Sequence, residues 1–334
     1  MNYSQQTIRS FIPWLIALAL CFALSFGVFP NINPYYQTIF MVSGINIILA
    51  VSLTLINGFT GQFSLGHAGF MAVGGYAAAA LTYYVMPKMI GSSSSNFMEQ
   101  VFLFAAVVVG GIVSAICGYL VGLPSLRLKG DYLAIVTLGF AEIIRVVFLN
   151  IDSLGGARGM TGLKTLTNSH WVVFVAFITV FAVVRLLGTA PGRAMLSVRE
   201  DEIAAEAMGV NTTSVKVKAF VLSSFWSGVA GGLYAHYYAY LNPSGFGFMK
   251  SFEVVVIIVL GGLGSVSGAV LAAIALTILP EALRPLQELT KLDFRMIIYS
   301  LTLILFMLLK PNGLLGRHEI NTFFRRKRAE AKKA

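Results

Sequence analysis

Any chemistry in this chain has to come from a few polar residues set in apolar surroundings. The densest group lies between residues 58 and 70, where Gly61, Gln62, Ser64, Gly66 and His67 separate two long apolar runs. In a bilayer every amide and carbonyl needs a partner inside the protein. Glycine-rich polar backbone at that depth is therefore tolerated only against other protein or a watery cavity. A second group, Gly262, Gly264 and Ser265, breaks another long run, and the two groups share a Gly-x-x-Ser-apolar pattern at 61–65 and 262–266. Paired glycine interruptions point to a pathway built from repeats. The other reading is close packing of helices through small residues. These eight residues are candidates for a translocation pathway. Glu142 and Arg145 form a third group, three residues apart and so on one helical face. A charge near the bilayer centre costs about 2.5–3.5 kcal/mol on insertion scales, which favours an intramembrane ion pair. Substrate contact or gating is the rival role for that pair.

Enzymatic and metal chemistry find no support. The four histidines and the two cysteines, Cys21 and Cys117, show no ligand spacing, and neither a G-x-S-x-G elbow nor an H-E-x-x-H helix is present. The chain also lacks a G-x-x-x-x-G-K-[ST] phosphate loop, so it holds no nucleotide in that manner.

The elements that must position these residues are transmembrane helices. Hydrophobic side chains make up 57% of the 334 residues and charged ones 11%, with a mean hydropathy of +0.80. Soluble domains carry roughly 25% charged residues. Runs long enough to cross about 30 Å of hydrocarbon lie near 11–29, 36–56, 61–86, 99–122, 132–150, 170–187, 219–241, 251–280 and 294–310. The first is too long for a signal-peptide core and reads as a retained helix. The eighth is broken at 261–265, which predicts a half-helix over 253–260 in mid-membrane and a return over 266–279, with Glu253 near the half-helix start. The expected fold is an all-α polytopic membrane protein of about ten membrane elements with a possible internal repeat. A permease domain at 11–310 lies between a cytoplasmic N-terminus at 1–10 and a basic tail at 311–334. With both ends in the cytoplasm, sixteen lysines and arginines fall inside and six outside, Lys250 among the six. That bias follows the positive-inside rule. The +10 net charge is then an orientation device, with Arg325, Arg326, Lys327 and Arg328 lying on anionic membrane lipid, and no nucleic-acid footprint.

One cytoplasmic connection, 188–217, is long and strongly charged. Glu200, Asp201 and Glu202 suit a helix N-terminus and Gly209 suits the left-handed residue that ends it. Between them a helix of about two turns places Ile203, Ala204, Ala207 and Met208 on one face. Asn211 or Thr212 then caps the next helix. Such a ridge is a knob for a groove in a partner; the other reading is a surface helix folded back on this protein.

Four motifs occur in order: 61–70, reading Gly-Gln-Phe-Ser-Leu-Gly-His-Ala-Gly-Phe; 126–132, reading Leu-Arg-Leu-Lys-Gly-Asp-Tyr; Gly192-Arg193 with the 199–211 stretch; and 261–265. Together they resemble the permease subunits of ABC importers for branched-chain amino acids, over roughly 36–315. The resemblance implies that Glu200, Asp201, Glu202, Ile203, Ala204, Ala205, Glu206, Ala207, Met208 and Gly209 form the coupling helix that docks on a cytosolic ATPase. Of a common family signature, E-A-A-x-x-x-G, Ala204, Ala205 and Gly209 match, while Ile203 stands in the place of the acid and Glu202 lies one step earlier. It further implies a second permease subunit in a heterodimer, two cytosolic ATPases that use the ATP, an extracytoplasmic substrate-binding protein, alternating access, no enzyme activity or bound cofactor in this chain, and a multi-pass place in the bacterial inner membrane. The same importer class for urea, short amides or other amino acids is the alternative. A secondary transporter is a further one, but it would need its own coupling site.

Overall fold

The structure is a computed structural model that describes residues 32–90, 96–125, 132–284 and, beyond these, 300–301, 304–305, 308–310 and 313–316. The first apolar run, residues 126–131 of the second motif, most of the last run and the basic tail lie outside the described residues.

Among the described residues the regular elements are helices, with one isolated bridge between Met160 and Leu241. α1 (Pro34–Asn57) starts where Asn33 Oδ1 accepts from the Tyr35 amide and Pro34 takes the first helical position, where its missing N–H loses nothing. An irregular segment at 61–66 leads to α2 (His67–Ala80), which runs on through a π-helical turn (Leu81–Val85) and Met86–Ile90. α3 (Asn96–Ser125), α4 (Tyr132–Leu149) and α5 (Ser169–Leu187) follow, then two short helices, α6 (Ala190–Glu200) and α7 (Glu202–Ala207). α8 (Thr212–Tyr238), α9 (Phe248–Gly261) and α10 (Val266–Ala282) complete the described bundle.

Six of these segments are long and apolar enough to cross a membrane: α1, His67–Met89, α3, α4, α5 and Pro243–Gly261. The ten elements expected from the sequence are not all within the described residues. α8 is 27 residues long, about 40 Å, yet it is not among the six because of its composition. Its position explains why: it packs along α2 and α3 in the centre of the molecule, so lipid does not select its side chains. Ser223, Ser224, Ser227, Gly228, Gly231 and Gly232 of α8 are all buried.

Small residues let these helices approach closely. A Cβ on Gly74 of α2 would lie 2.1 Å from Gly228 Cα. The serines fill the seam with hydrogen bonds that need no water: Ser114 Oγ donates within reach of Phe70 O (2.9 Å) and Ser224 O (2.7 Å), and Ser227 Oγ donates to His67 O at 2.9 Å. α1 packs on α10, α8 and α5, closing the second half of the core.

The break in the eighth run differs from expectation in two ways. α9 begins at Phe248 behind the N-cap Gly247, so Glu253 lies in the second turn and not at the helix start. The turn at 261–265 also does not sit halfway along its neighbours, because it abuts Gly58, the residue that ends α1. A Cβ on Gly58 would come within 2.8 Å of the Gly264 amide nitrogen. Gly262 and Gly264 turn this corner at φ +109° and +97°, a region L side chains rarely adopt.

Candidate functional site: a docking loop on two glycine turns

The loop after α5 is more ordered than its charge suggests. Pro191, early in α6, favours a helix start, and Arg199 falls in its last turn. From there Arg199 reaches the transmembrane core. Its Nη1 donates to the Gly58 carbonyl at 3.1 Å, and its Nη2 pairs with Glu200 Oε1 at 2.6 Å. Gly61, at φ +68°, has no side chain, and a Cβ there would meet Arg199 Cγ at 3.2 Å. One on Gly264 would lie 2.7 Å from Arg199 Nη1. The turn between α1 and α2, the turn between α9 and α10, and the charged loop thus meet at one guanidinium.

α7 is built outward from that base. Asp201 caps it, Oδ1 accepting from the amides of Ile203 (2.9 Å) and Ala204 (3.0 Å). Glu202 pairs with Lys216 Nζ of α8 at 2.6 Å, with the lysine side chain only 9% exposed. Ala205 is buried and forms the inner face, while Ile203 is 77% and Met208 85% exposed. Gly209 takes φ +83° and ends the helix, and Asn211 Oδ1 accepts from the Ser214 amide at 2.9 Å to start α8. The three acids read as one helix N-terminus therefore have three separate places: Glu200 ends α6, Asp201 caps α7 and Glu202 is the first residue of α7. Ile203, Ala204, Ala207 and Met208 are all exposed, as are Glu206 and Gly209.

The candidate pathway residues gather at the two turns and are held in packing contacts. The Gln62 amide donates to Ile56 O at 3.1 Å, and its side-chain Oε1 is buried with no hydrogen-bond partner among the described residues. The Ser64 amide donates to Asn57 Oδ1 at 3.2 Å, and Ser64 Oγ accepts from the Gly66 amide at 3.4 Å. A Cβ on Gly66 would lie 2.6 Å from the Thr137 carbonyl of α4. His67 is fully buried with Nε2 2.8 Å from Ser52 Oγ of α1. In the other turn, Gly262 lies against Gly316, and Ser265 Oγ accepts from the Gly268 amide at 3.1 Å, capping α10. The two Gly-x-x-Ser segments are thus brought side by side, each serine accepting a hydrogen bond where the next helix begins.

Glu142 and Arg145 form an ion pair at 2.7 Å with side chains 37% and 28% exposed. Among the described residues no three His, Cys, Asp or Glu side chains group as metal ligands would. Sequence reasoning missed the meeting at Arg199. Arg199 stands in the third motif and Gly58 just before the first, but 141 residues separate them and no local pattern links them.

A family model described as branched-chain amino acid transport system / permease component matches residues 35–307. The chain is 34% identical over 306 residues to the high-affinity branched-chain amino acid transport system permease protein LivM of Salmonella typhimurium, covering 81% of this chain and 68% of that one. It is 28% identical over 293 residues to the LivH permease protein of Escherichia coli, covering 82% and 92%. It is 23% identical over 334 residues to a probable LivM permease of Methanocaldococcus jannaschii, covering 92% of each. No solved structure matches the chain.

Proposed function

This chain belongs to the branched-chain amino acid transport permease family, and on that premise we propose that it is the conduit of an ATP-driven importer in which α7 receives the stroke of a cytosolic ATPase. The substrates are leucine, isoleucine and valine. A second permease subunit completes the passage, two ATPases drive it, and an extracytoplasmic binding protein delivers the substrate. The loop that carries α7 faces the cytoplasm, as do both chain ends, in the bacterial inner membrane.

One observation carries this reading: a ridge of exposed apolar residues, Ile203 and Met208, on a helix pinned from below by Asp201, Ala205 and the Glu202–Lys216 pair. An exposed apolar knob on a fixed base suits a groove in a partner. The base also has a route inward. Arg199, at the α6–α7 junction, is hydrogen-bonded to Gly58, so displacement of α7 acts directly on the turns that join α1 to α2 and α9 to α10. Alternating access then follows as a rigid-body shift of helices about these turns.

Vesicles containing this chain, its partner permease, both ATPases and the binding protein test the reading. Leucine accumulates on addition of ATP and does not accumulate when the ATPases are omitted. Uphill uptake without any nucleotide-hydrolysing subunit overturns it in favour of a secondary transporter.

A further inference from the structure

The first turns of α9 hold a second ion pair that the docking loop does not use. Lys250 Nζ lies 3.0 Å from Glu253 Oε2 and 3.4 Å from Asn46 Oδ1, and Asn46 Nδ2 donates to Thr277 Oγ1 of α10 at 3.0 Å. Asn46 is buried and fixes the depth of this cluster. It stands twelve residues from Pro34 and eleven from Asn57, the midpoint of a helix about 36 Å long. The sequence places Lys250 on the outer side, but the structure seats its ammonium in mid-span.

Exposure changes sharply along α9. Residues 254–258 are buried, but the Glu253 side chain is 43% exposed and the Lys250 side chain 21%. Beside them Met249 is 77% and Phe252 48% exposed. A carboxylate 43% exposed beside an ammonium 21% exposed carries a heavy penalty against hydrocarbon, so in mid-span the pair faces water or a polar ligand. The Glu142–Arg145 pair lies against the N-cap of the same helix, since a Cβ on Gly247 would lie 3.9 Å from both Arg145 Cδ and Glu142 Oε1.

We propose that Lys250 and Glu253, with Met249 and Phe252 beside them, form a transient binding site for a zwitterionic aliphatic amino acid in the passage. The carboxylate of the ligand takes the donors of Lys250, its ammonium takes the free lone pairs of Glu253, and its side chain lies on Phe252 and Met249. A neutral pair accepts a ligand of zero net charge without leaving an unpaired charge in the membrane, whereas an amine or a carboxylic acid leaves one. Asn46, held by Thr277, keeps Lys250 in place when its bond to Glu253 opens. This inference rests on the importer reading and supplies its missing contact with substrate.

Cysteine accessibility in the reconstituted importer tests the site. In a C21A/C117A background, the F252C variant is treated with a membrane-impermeant, water-soluble methanethiosulfonate. Modification is expected, and leucine at about four times its Kd slows it about fivefold, the factor 1 + [L]/Kd of simple occupancy. Isoamylamine and 4-methylpentanoate, each lacking one charge of leucine, give no such protection at the same concentration. Adding Lys250→Met or Glu253→Gln removes protection by leucine while leaving modification itself. Failure of F252C to react, or a rate indifferent to leucine, overturns the site and leaves the pair as a structural tie between α9 and α1. Leucine uptake by the unsubstituted importer separates the two readings: uptake without protection overturns the site alone, and absent uptake overturns both.

Discussion

Where α2 meets α8, Gly74 and Gly228 bring two backbones into contact and the nearby serine hydroxyls bond inside the protein, whereas α7 turns Ile203 and Met208 into the open. The same chain thus uses small and polar residues for opposite ends. In the seam they allow an approach no larger residue permits, and the result is a rigid central bundle. In the loop, caps and ion pairs hold a short helix that has almost no core of its own. Close packing is concentrated in the first region, and the proposed docking on a partner would fall to the second. Substitutions in the seam should therefore remove the protein, and substitutions in the loop should remove its work while the protein stays.

The largest expected effect is in the seam. Gly228→Leu forces a side chain into a space where a single Cβ already lies 2.4 Å from Ser114 Cβ. Overpacking against backbone costs more than about 3 kcal/mol here. Size-exclusion profiles of detergent-extracted protein should lose the monodisperse peak, and a normal peak would mean that the seam is looser than drawn. Next is Ala205→Glu, which pushes a carboxylate into the inner face of α7. Amounts in the membrane should match wild type while ATP-driven leucine uptake falls at least about tenfold, as expected when more than about 1.4 kcal/mol of docking is lost. Equal loss of membrane protein and of uptake would erase the contrast between the regions. Gly264→Ala should have an intermediate effect. It places a side chain at φ +97° and against Arg199, a strain of about 1–3 kcal/mol, readable as a lower thermal midpoint of the purified complex. Smallest is Asp201→Ala, which removes one helix cap worth about 1 kcal/mol. Faster amide exchange confined to 202–208 is the expected signature, and unchanged exchange would show that Lys216 alone holds α7.

Much of the fold was legible because lipid imposes a strong rule on composition. The apolar runs at 36–56, 99–122, 132–150 and 170–187 became α1, α3, α4 and α5 with ends shifted by a few residues. α8 extends seven residues before its run, through Lys216 and Lys218, because caps and ion pairs at Asn211 and Lys216 carry the helix below the apolar stretch. α6 was not expected because its stretch is too polar to stand out between the apolar runs, although Gly192, Met195 and Val198 recur at helical spacing on its buried face; Pro191 and the contact of Gly192 with Leu186 hold its start. In the loop, Gly209 as the terminator and a cap at Asn211 or Thr212 could be read from residue type alone, and the structure takes Asn211. The meeting of Arg199 with Gly58 and Gly264, and of Lys250 with Asn46, could not. Both join residues that are distant in sequence and polar in places where a sequence pattern marks only an interruption.

Coupling through α7 is tested most directly by ATP hydrolysis in the reconstituted importer carrying Ile203→Asp together with Met208→Asp. Both side chains are exposed, so the chain should still insert and pair with its partner permease. Leucine-loaded binding protein should no longer stimulate hydrolysis, and uptake should vanish. Full stimulation and normal uptake by that variant would contradict docking through this helix.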